Sequence, residues 1–236
     1  MEVVRIPVLR DNYVWLAHSA KVTAVVDPAV AEPVLQACAQ RGWTLDFILS
    51  THHHIDHTGG NLALKKATGC TIVGPKADHA RIPGIDRPVE EGDTVVIGEA
   101  QAQILFIPGH TRGHIAYIFD EGSLFCGDTL FLAGCGRLFE GTPRQMYDSL
   151  AKIAALPDAT RIYCGHEYTL SNLRFALSEH PDNPDIQARF EVVKAARARS
   201  EATVPGLLGL ERSTNPFLMA RTAAELGAIR SRKDNY

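Results

Sequence analysis

The sequence predicts an α/β body followed by a small helical appendage, and three observations carry that expectation. Short apolar, β-branched runs recur through the first 165 residues; amphipathic helical patterns are interleaved with them; and after His166 the strand signals stop while helical periods continue to the C-terminus. The body is therefore assigned to residues 1–165 and the helical part to 166–236. With 236 residues and 45% hydrophobic content the chain can bury a substantial core.

The runs Val3 to Leu9, Tyr13 to His18 and Lys21 to Asp27, broken by Arg10-Asp11-Asn12 and Ser19-Ala20, read as successive antiparallel strands. Ala31 to Gln40 places Val34, Leu35, Ala37 and Cys38 at amphipathic helical spacing, and Arg41-Gly42 ends it. Phe47 to Leu49 is a short buried strand. Leu62 to Thr68 has helical character, Thr71 to Gly74 reads as a parallel strand, and Gly92 to Phe106 holds two strands around a Gly98-Glu99 turn. Ala116 to Phe119 and Ser123 to Cys126 form a hairpin across Asp120-Glu121-Gly122. Met146 to Leu156 is a helix, and Arg161 to Cys164 a last strand. Beyond it, Leu170 to Glu179, Pro184 to Ser200 and Thr222 to Arg230 are helical, interrupted by Pro205-Gly206.

Composition narrows the function classes. No apolar run is long enough to span a bilayer, and the N-terminus has no basic segment leading into an apolar core, which together suggest a cytoplasmic protein without a membrane partner. Five cysteines with no C-x-x-C spacing indicate neither a disulfide framework nor a thiolate zinc site. A net charge of −3 without long charged runs argues against nucleic acid as a partner.

The chemistry concentrates where strands end. Thr51-His52-His53-His54-Ile55-Asp56-His57 follows the Phe47 to Leu49 strand directly, His110 follows Phe106-Ile107-Pro108-Gly109, Asp128 follows Cys126-Gly127, and His166 follows Cys164-Gly165. Residues so far apart converge if their strands share a sheet edge. His52 and His54, two apart on extended backbone, point the same way, while Asp56 and His57 follow a turn and can face a second position. His52, His54 and His110 can then hold one divalent ion and Asp56, His57 and His166 another, with the two oxygens of Asp128 bridging them. Such ions would stand about 3.5–4 Å apart.

These motifs, with Pro108-Gly109-His110-Thr111, Phe125-Cys126-Gly127-Asp128-Thr129 and Cys164-Gly165-His166-Glu167-Tyr168-Thr169, resemble the metallo-β-lactamase superfamily. Within it, Gly134 to Gly141, Glu167 to Asn172 and Arg230-Ser231-Arg232-Lys233-Asp234 resemble the hydroxyacylglutathione hydrolases, the glyoxalase II family. The resemblance covers nearly the whole chain. It implies an αββα sandwich with the metals at one edge and a C-terminal helical domain that shapes a glutathione pocket. It further implies that Arg137, Phe139, Tyr168, Arg230 and Lys233 hold the glutathione moiety, although many members carry Lys and Tyr where this chain has Arg137 and Phe139, and a longer segment between Leu218 and Ile229.

Other residues are read as structural. His53 should face away from His52 and His54 and bond within the fold, and His114 is expected to be a satisfied histidine. His18, His79 and His180 are expected to be solvated, Cys135 to be packing, and the basic residues of 189–199 to form a solvated face. Arg230 and Lys233 alone would read as a solvated basic tail.

The resulting expectation is a monomeric enzyme that hydrolyses S-D-lactoylglutathione and related 2-hydroxyacylglutathione thioesters, in methylglyoxal detoxification. Two divalent ions, zinc before iron or manganese, would activate the attacking water, with Asp56 and Asp128 as the catalytic carboxylates. The alternatives are another reaction of the same superfamily, such as a lactonase, a β-lactamase or a persulfide dioxygenase, and a non-catalytic metal-binding protein.

Overall fold

Alternation along one strand accounts for the layering. In β2 (Asn12–Ser19) Trp15 and Ala17 point into one apolar cluster while Val14 and Leu16 point into another, because successive side chains leave opposite faces of a strand. A computed structural model describes all 236 residues. β1 (Glu2–Val8) pairs antiparallel with β2, and β2 with β3 (Val22–Val26). β4 (Phe47–Leu49), β5 (Thr71–Pro75) and β6 (Arg87–Val89) add in parallel, giving a six-stranded sheet in sequence order. Its outer face is covered by α1 (Glu32–Arg41), through Val34, Ala37 and Cys38, and by Leu64 of α3 (Asn61–Thr68). Between β4 and α3 the chain makes one helical turn, α2 (Ile55–Thr58).

The second sheet faces the first across the main core. It contains β7 (Thr94–Ile97), β8 (Ala100–Phe106), β9 (Ile115–Phe119), β10 (Ser123–Gly127) and β13 (Arg161–Cys164), with the short β11 (Leu130–Phe131) and β12 (Gly134–Cys135) forming a separate hairpin. The buried Tyr117 hydroxyl crosses the layer to donate to the Ser50 carbonyl at 2.9 Å. α4 (Pro143–Ala154) packs Met146, Leu150 and Ile153 into the same core. The architecture is the expected αββα sandwich.

The C-terminal region holds α5 (Thr169–Glu179), α6 (Pro184–Ala198), β14 (Gly206–Leu207), α7 (Leu208–Thr214), α8 (Pro216–Met219) and α9 (Ala223–Asp234). Three of its side chains grip the β11–β12 hairpin. The Asn172 amide donates to the Leu132 carbonyl at 3.1 Å, the Asn215 amide to the Gly134 carbonyl at 3.0 Å, and Glu211 accepts from the Ala133 N–H at 2.7 Å. Ala133 has φ +56°, a left-handed conformation that these bonds help to hold.

Several expectations are corrected here. Strand structure does not stop at His166, because β14 pairs antiparallel with β13 and closes the edge of the second sheet. Its two residues are too few to show a period. The helix expected from Met146 begins at Pro143, where Thr142 and Gln145 form a reciprocal capping box, and the last helix runs on to Asp234. Arg189 is not solvated: it is buried and ion-paired to the fully buried Glu211. His18 stacks on Trp43 with ring centroids 4.1 Å apart, and His180 is half-buried with its Nε2 unpartnered. His79 is exposed, as expected.

Candidate metal centre and substrate cleft

β3, β4 and β5 run in one direction, as do β8, β10 and β13, so the two sheets present their C-terminal strand ends at a common edge. Asp27 follows β3, Thr51 to His57 follow β4, His110 lies beyond β8, Asp128 follows β10 and His166 follows β13. The start of β2 is tied to the same edge, since the Tyr13 N–H donates to the Gly165 carbonyl and the Glu167 N–H to the Asp11 carbonyl.

Three groups of donor atoms result, two of them the expected sets and the third joining Asp27 to His52 and His57. His54 Nδ1 lies 3.2 Å from His52 Nε2 and 3.0 Å from His110 Nε2. Alongside, His57 Nε2 and His166 Nε2 are 3.3 Å apart, and each is 3.6 Å from Asp56 Oδ2. Asp128 touches both sets, its Oδ2 lying 3.6 Å from His110 Nε2 and 3.3 Å from His166 Nε2. The structure thus brings together all seven residues expected as ligands. The turn of α2 brings His57 Nε2 to His166, as the sequence suggests, while its ring stays 4.3 Å from that of His52.

The outer ring nitrogens are held in turn. His110 Nδ1 donates to the Arg137 carbonyl at 2.9 Å and His166 Nδ1 to Asp11 at 2.8 Å, which leaves each Nε2 free to point inward. His57 Nδ1 faces Asp27 at 3.2 Å, and Asp27 also accepts from the Thr51 N–H and hydroxyl, both at 2.7 Å. The Thr51 hydroxyl then accepts from His52 Nδ1 at 3.0 Å. Asp27, at φ +50°, and Asp11 were not singled out from the sequence. Their only signal is a carboxylate at a strand boundary, which many turns carry.

The expected bystanders have defined partners. The ring of His53 points to Asp78, 3.2 Å away, and His114 is buried with its Nε2 accepting from the Asp128 N–H at 3.2 Å. Cys135 is buried and burial pushes its thiol up to about 11, consistent with packing.

Electrostatics divides the two clusters. Burial pushes His52 and His110 below their ordinary value and takes His54 to about 4, with neighbouring His110 and His53 adding to it, so all three are neutral donors at pH 7. Burial acts the same way on His57 and His166, but the carboxylates of Asp128 and, for His57, Asp27 outweigh it and raise both. Burial would raise Asp128; the positive charge of His57 and His166 instead holds it well below the carboxylate range.

The donor set fits divalent cations. Asp128 Oδ1 is shielded from solvent and makes no hydrogen bond, its nearest charged neighbour being His57 Nε2 at 3.4 Å, a position that a bound cation would complete. One proton on His54 Nδ1 can serve only one of its two nitrogen neighbours, whereas an ion among the three serves all of them. Space is also reserved: a Cβ on Gly165 would lie 2.6 Å from His57 Cε1.

A cleft of about 520 Å³ opens over these atoms, and Arg137, Phe139, Tyr168, Arg230 and Lys233 all line it. The Tyr168 ring stacks on His166 at 4.7 Å, nearly parallel to it, and the Phe139 ring meets His110 edge-on at 5.2 Å. Arg230 departs from the solvated tail that composition alone suggests. It is buried, donates to the Cys135 carbonyl at 2.7 Å and pairs with Asp234 at 2.9 Å. Lys233 donates to the Ser171 carbonyl at 3.2 Å.

Comparison with known proteins agrees with this geometry. Residues 8–166 match the model of the metallo-beta-lactamase superfamily, and residues 167–236 match that of the hydroxyacylglutathione hydrolase C-terminus. The hydroxyacylglutathione hydrolase of Methylococcus capsulatus is 54% identical over 221 residues, covering 92% of this chain and 86% of that protein. That of Gloeothece citriformis is 49% identical, with all of both chains covered. Among solved structures, ETHE1 from Myxococcus xanthus superposes with a TM-score of 0.77 at 26% identity, covering 98% of this chain and 90% of that one. TTHA1623 in a di-iron-bound form gives 0.66 at 27% identity, covering 92% and 100%. The chain belongs to the metallo-β-lactamase superfamily and, within it, to the hydroxyacylglutathione hydrolases, a family of thioester hydrolases.

Proposed function

We propose that the protein hydrolyses S-D-lactoylglutathione, and other 2-hydroxyacyl thioesters of glutathione, to the free acid and glutathione, in the detoxification of methylglyoxal. The observation that carries this reading is Asp128, poised between two histidine sets with one buried oxygen unpartnered, at the floor of a cleft rimmed by Arg137 and Lys233. We assign His52, His54 and His110 to one divalent ion, Asp56, His57 and His166 to a second, and Asp128 to both. Zinc is the first choice for this nitrogen and oxygen shell, with iron or manganese also accepted.

Bound ions supply a water activated at neutral pH and polarisation of the thioester carbonyl. The rest is work for the chain's own groups. Asp56, whose side chain is 39% exposed and accepts from Asn12 at 3.1 Å, keeps a face toward the cleft with which to orient the attacking water. Phe139 and Tyr168 wall the histidines and limit access of bulk solvent to the reacting carbonyl. Arg137 and Lys233 offer cations to the glutathione carboxylates, remote from the bond that breaks, while Arg230 shapes the pocket from below. The thiolate departs without a dedicated acid because thiols are only weakly basic.

Five buried free cysteines suit a reducing compartment, so the cytoplasm is the proposed location. No helix is long and apolar enough to cross a membrane. We take the chain to act as a monomer, with residues 1–165 as the catalytic body and 166–236 as the glutathione-binding part. The decisive experiment is thioester cleavage on protein of known metal content. Turnover of lactoylglutathione by chain carrying two ions is the expected result; a fully loaded chain that leaves this thioester intact would overturn the reading.

A further inference from the structure

His53 stands between two of the residues that face the first metal position, yet its ring points the other way. Its Nε2 accepts from Arg81 Nη1 at 3.2 Å, so its Nδ1 carries the proton given to Asp78 at 3.2 Å. Arg81 also pairs with the buried Asp78, and turns a two-pronged face to Glu140: Nη1 to Oε1 at 2.5 Å and Nη2 to Oε2 at 3.1 Å. The same Glu140 Oε2 accepts from the Arg112 N–H at 2.8 Å. One carboxylate therefore joins the segment after β5, which carries Arg81, to the loop carrying His110 and the segment that follows β12, and through Arg81 it reaches His53 in the loop after β4.

What those loops carry gives the arrangement its meaning. Glu140 directly follows Phe139, whose ring lies 5.8 Å from that of His54 and 5.2 Å from that of His110. Three residues earlier, the Arg137 carbonyl fixes the His110 ring. None of His53, Asp78, Arg81, Arg112 and Glu140 lines the cleft, so none is placed to touch substrate. A bidentate arginine and carboxylate pair is directional as well as charged, and so sets the relative position of the segments it joins. The bond to Arg81 holds the Glu140 carboxyl down at about 2, which keeps the pair ionised across the working range.

We propose that Glu140 is a positioning residue for the first metal position, acting with Arg81 to hold His54, His110 and the Phe139 wall in register. The proposal rests on the two-ion reading above. Residues that orient metal ligands contribute roughly 10–100-fold to metal affinity, and that is the size of effect expected.

The test is zinc affinity, measured by chelator competition on metal-stripped chain that has kept its far-UV circular dichroism. Glu140→Gln and Arg81→Met should each weaken one of two zinc ions about 10–100-fold and leave the other unchanged. The double variant should lose little more than Arg81→Met alone, because the Glu140 contact is already gone once Arg81 is removed. Arg81→Lys should recover part of the loss. Arg112→Ala should bind zinc within about two-fold of wild type, since its backbone N–H makes the 2.8 Å bond and its exposed guanidinium only a 3.7 Å approach. Should Glu140→Gln fail to fold, Arg81→Met and Arg81→Lys carry the same comparison. Wild-type affinity for both ions in the folded variants overturns the role of Glu140. A wild-type chain that binds one ion overturns the two-ion reading instead.

Discussion

Asp27 holds His57 across the active-site edge, with Oδ2 of the carboxylate 3.2 Å from Nδ1 of the imidazole and both side chains buried. The same carboxylate takes both hydrogens offered by Thr51, and through the Thr51 hydroxyl it reaches His52. One residue thereby orients a histidine in each of the two sets.

Asp27→Asn should for that reason disturb both metal positions. An amide has one accepting oxygen where the carboxylate has two, so its NH₂ must face either Thr51 or His57, both of which donate. Asn tolerates the left-handed backbone of position 27, which separates this effect from backbone strain. Metal affinity should fall about 10–100-fold with the protein still folded. Chelator competition and thermal melting check this, and wild-type affinity would remove Asp27 from the centre.

Asp128→Asn should lose much of the metal and most of the activity, because Asp128 faces the inward Nε2 atoms of both histidine sets. Metal analysis should give close to two ions per wild-type chain and clearly fewer in the variant, before and after metal is added back. A fully loaded and fully active variant would contradict the bridging role.

Cys135→Ser should leave thioester turnover within about two-fold of wild type, since no acyl-enzyme is needed where water is the nucleophile. The thiol is buried and pushed up to about 11 by that burial, so little thiolate exists at pH 7. Mass spectrometry during turnover should find no acylated cysteine. A trapped acyl-Cys135 would overturn the mechanism.

Lys233 and Arg230 should separate in their effects. Lys233→Ala should raise KM for the glutathione thioester about ten-fold, equivalent to about 1.4 kcal/mol, with kcat and metal content little changed. Arg230→Ala should cost stability as well, about 1–3 kcal/mol, because it strips the buried Cys135 carbonyl of its donor. A small thioester lacking the glutathione carboxylates should be indifferent to Lys233→Ala. Equal losses on both substrates would point to misfolding of the helical region.

The affinity of this pocket should also depend on pH. Burial, with Arg230 and Arg137 nearby, lowers Lys233 to about 8, so the cation is lost as pH rises through that value. KM should climb above pH 8 in the wild type and lose that dependence in Lys233→Met. Because the folded value lies below the ordinary 10.5, the unfolded chain holds more protons between about 8 and 10.5, and this group's contribution to stability grows with pH across that window. A KM that stays flat from pH 7 to 9.5 would remove Lys233 from carboxylate binding.

Much of the fold is legible in the chain because short apolar runs and the residues that break them are local signals. Phe47 to Leu49 and Arg161 to Cys164 are strands at the expected bounds, and the fall of histidines and Asp128 just past strand ends already implies one shared edge. Four other elements of two or three residues escaped: β14, β12 and β6 lack a run of buried apolar residues like that of β4, and all of them, β11 included, exist because a neighbouring strand supplies partners. Burial of charge escaped as well. Arg189 and Arg230 look like solvated residues of polar helices, but Glu211 and the Cys135 carbonyl, distant in sequence, receive them in the interior. The sequence by itself determined which side chains could bind metal and that they lie at strand ends, because residue type and strand period are written locally. Only the tertiary structure decided that Asp11 and Asp27 orient His166 and His57, that His53 turns toward Asp78, and that Arg230 lies beneath the pocket. Each of those depends on a partner brought close by sheet packing, and no local pattern encodes a distance between segments far apart in the chain.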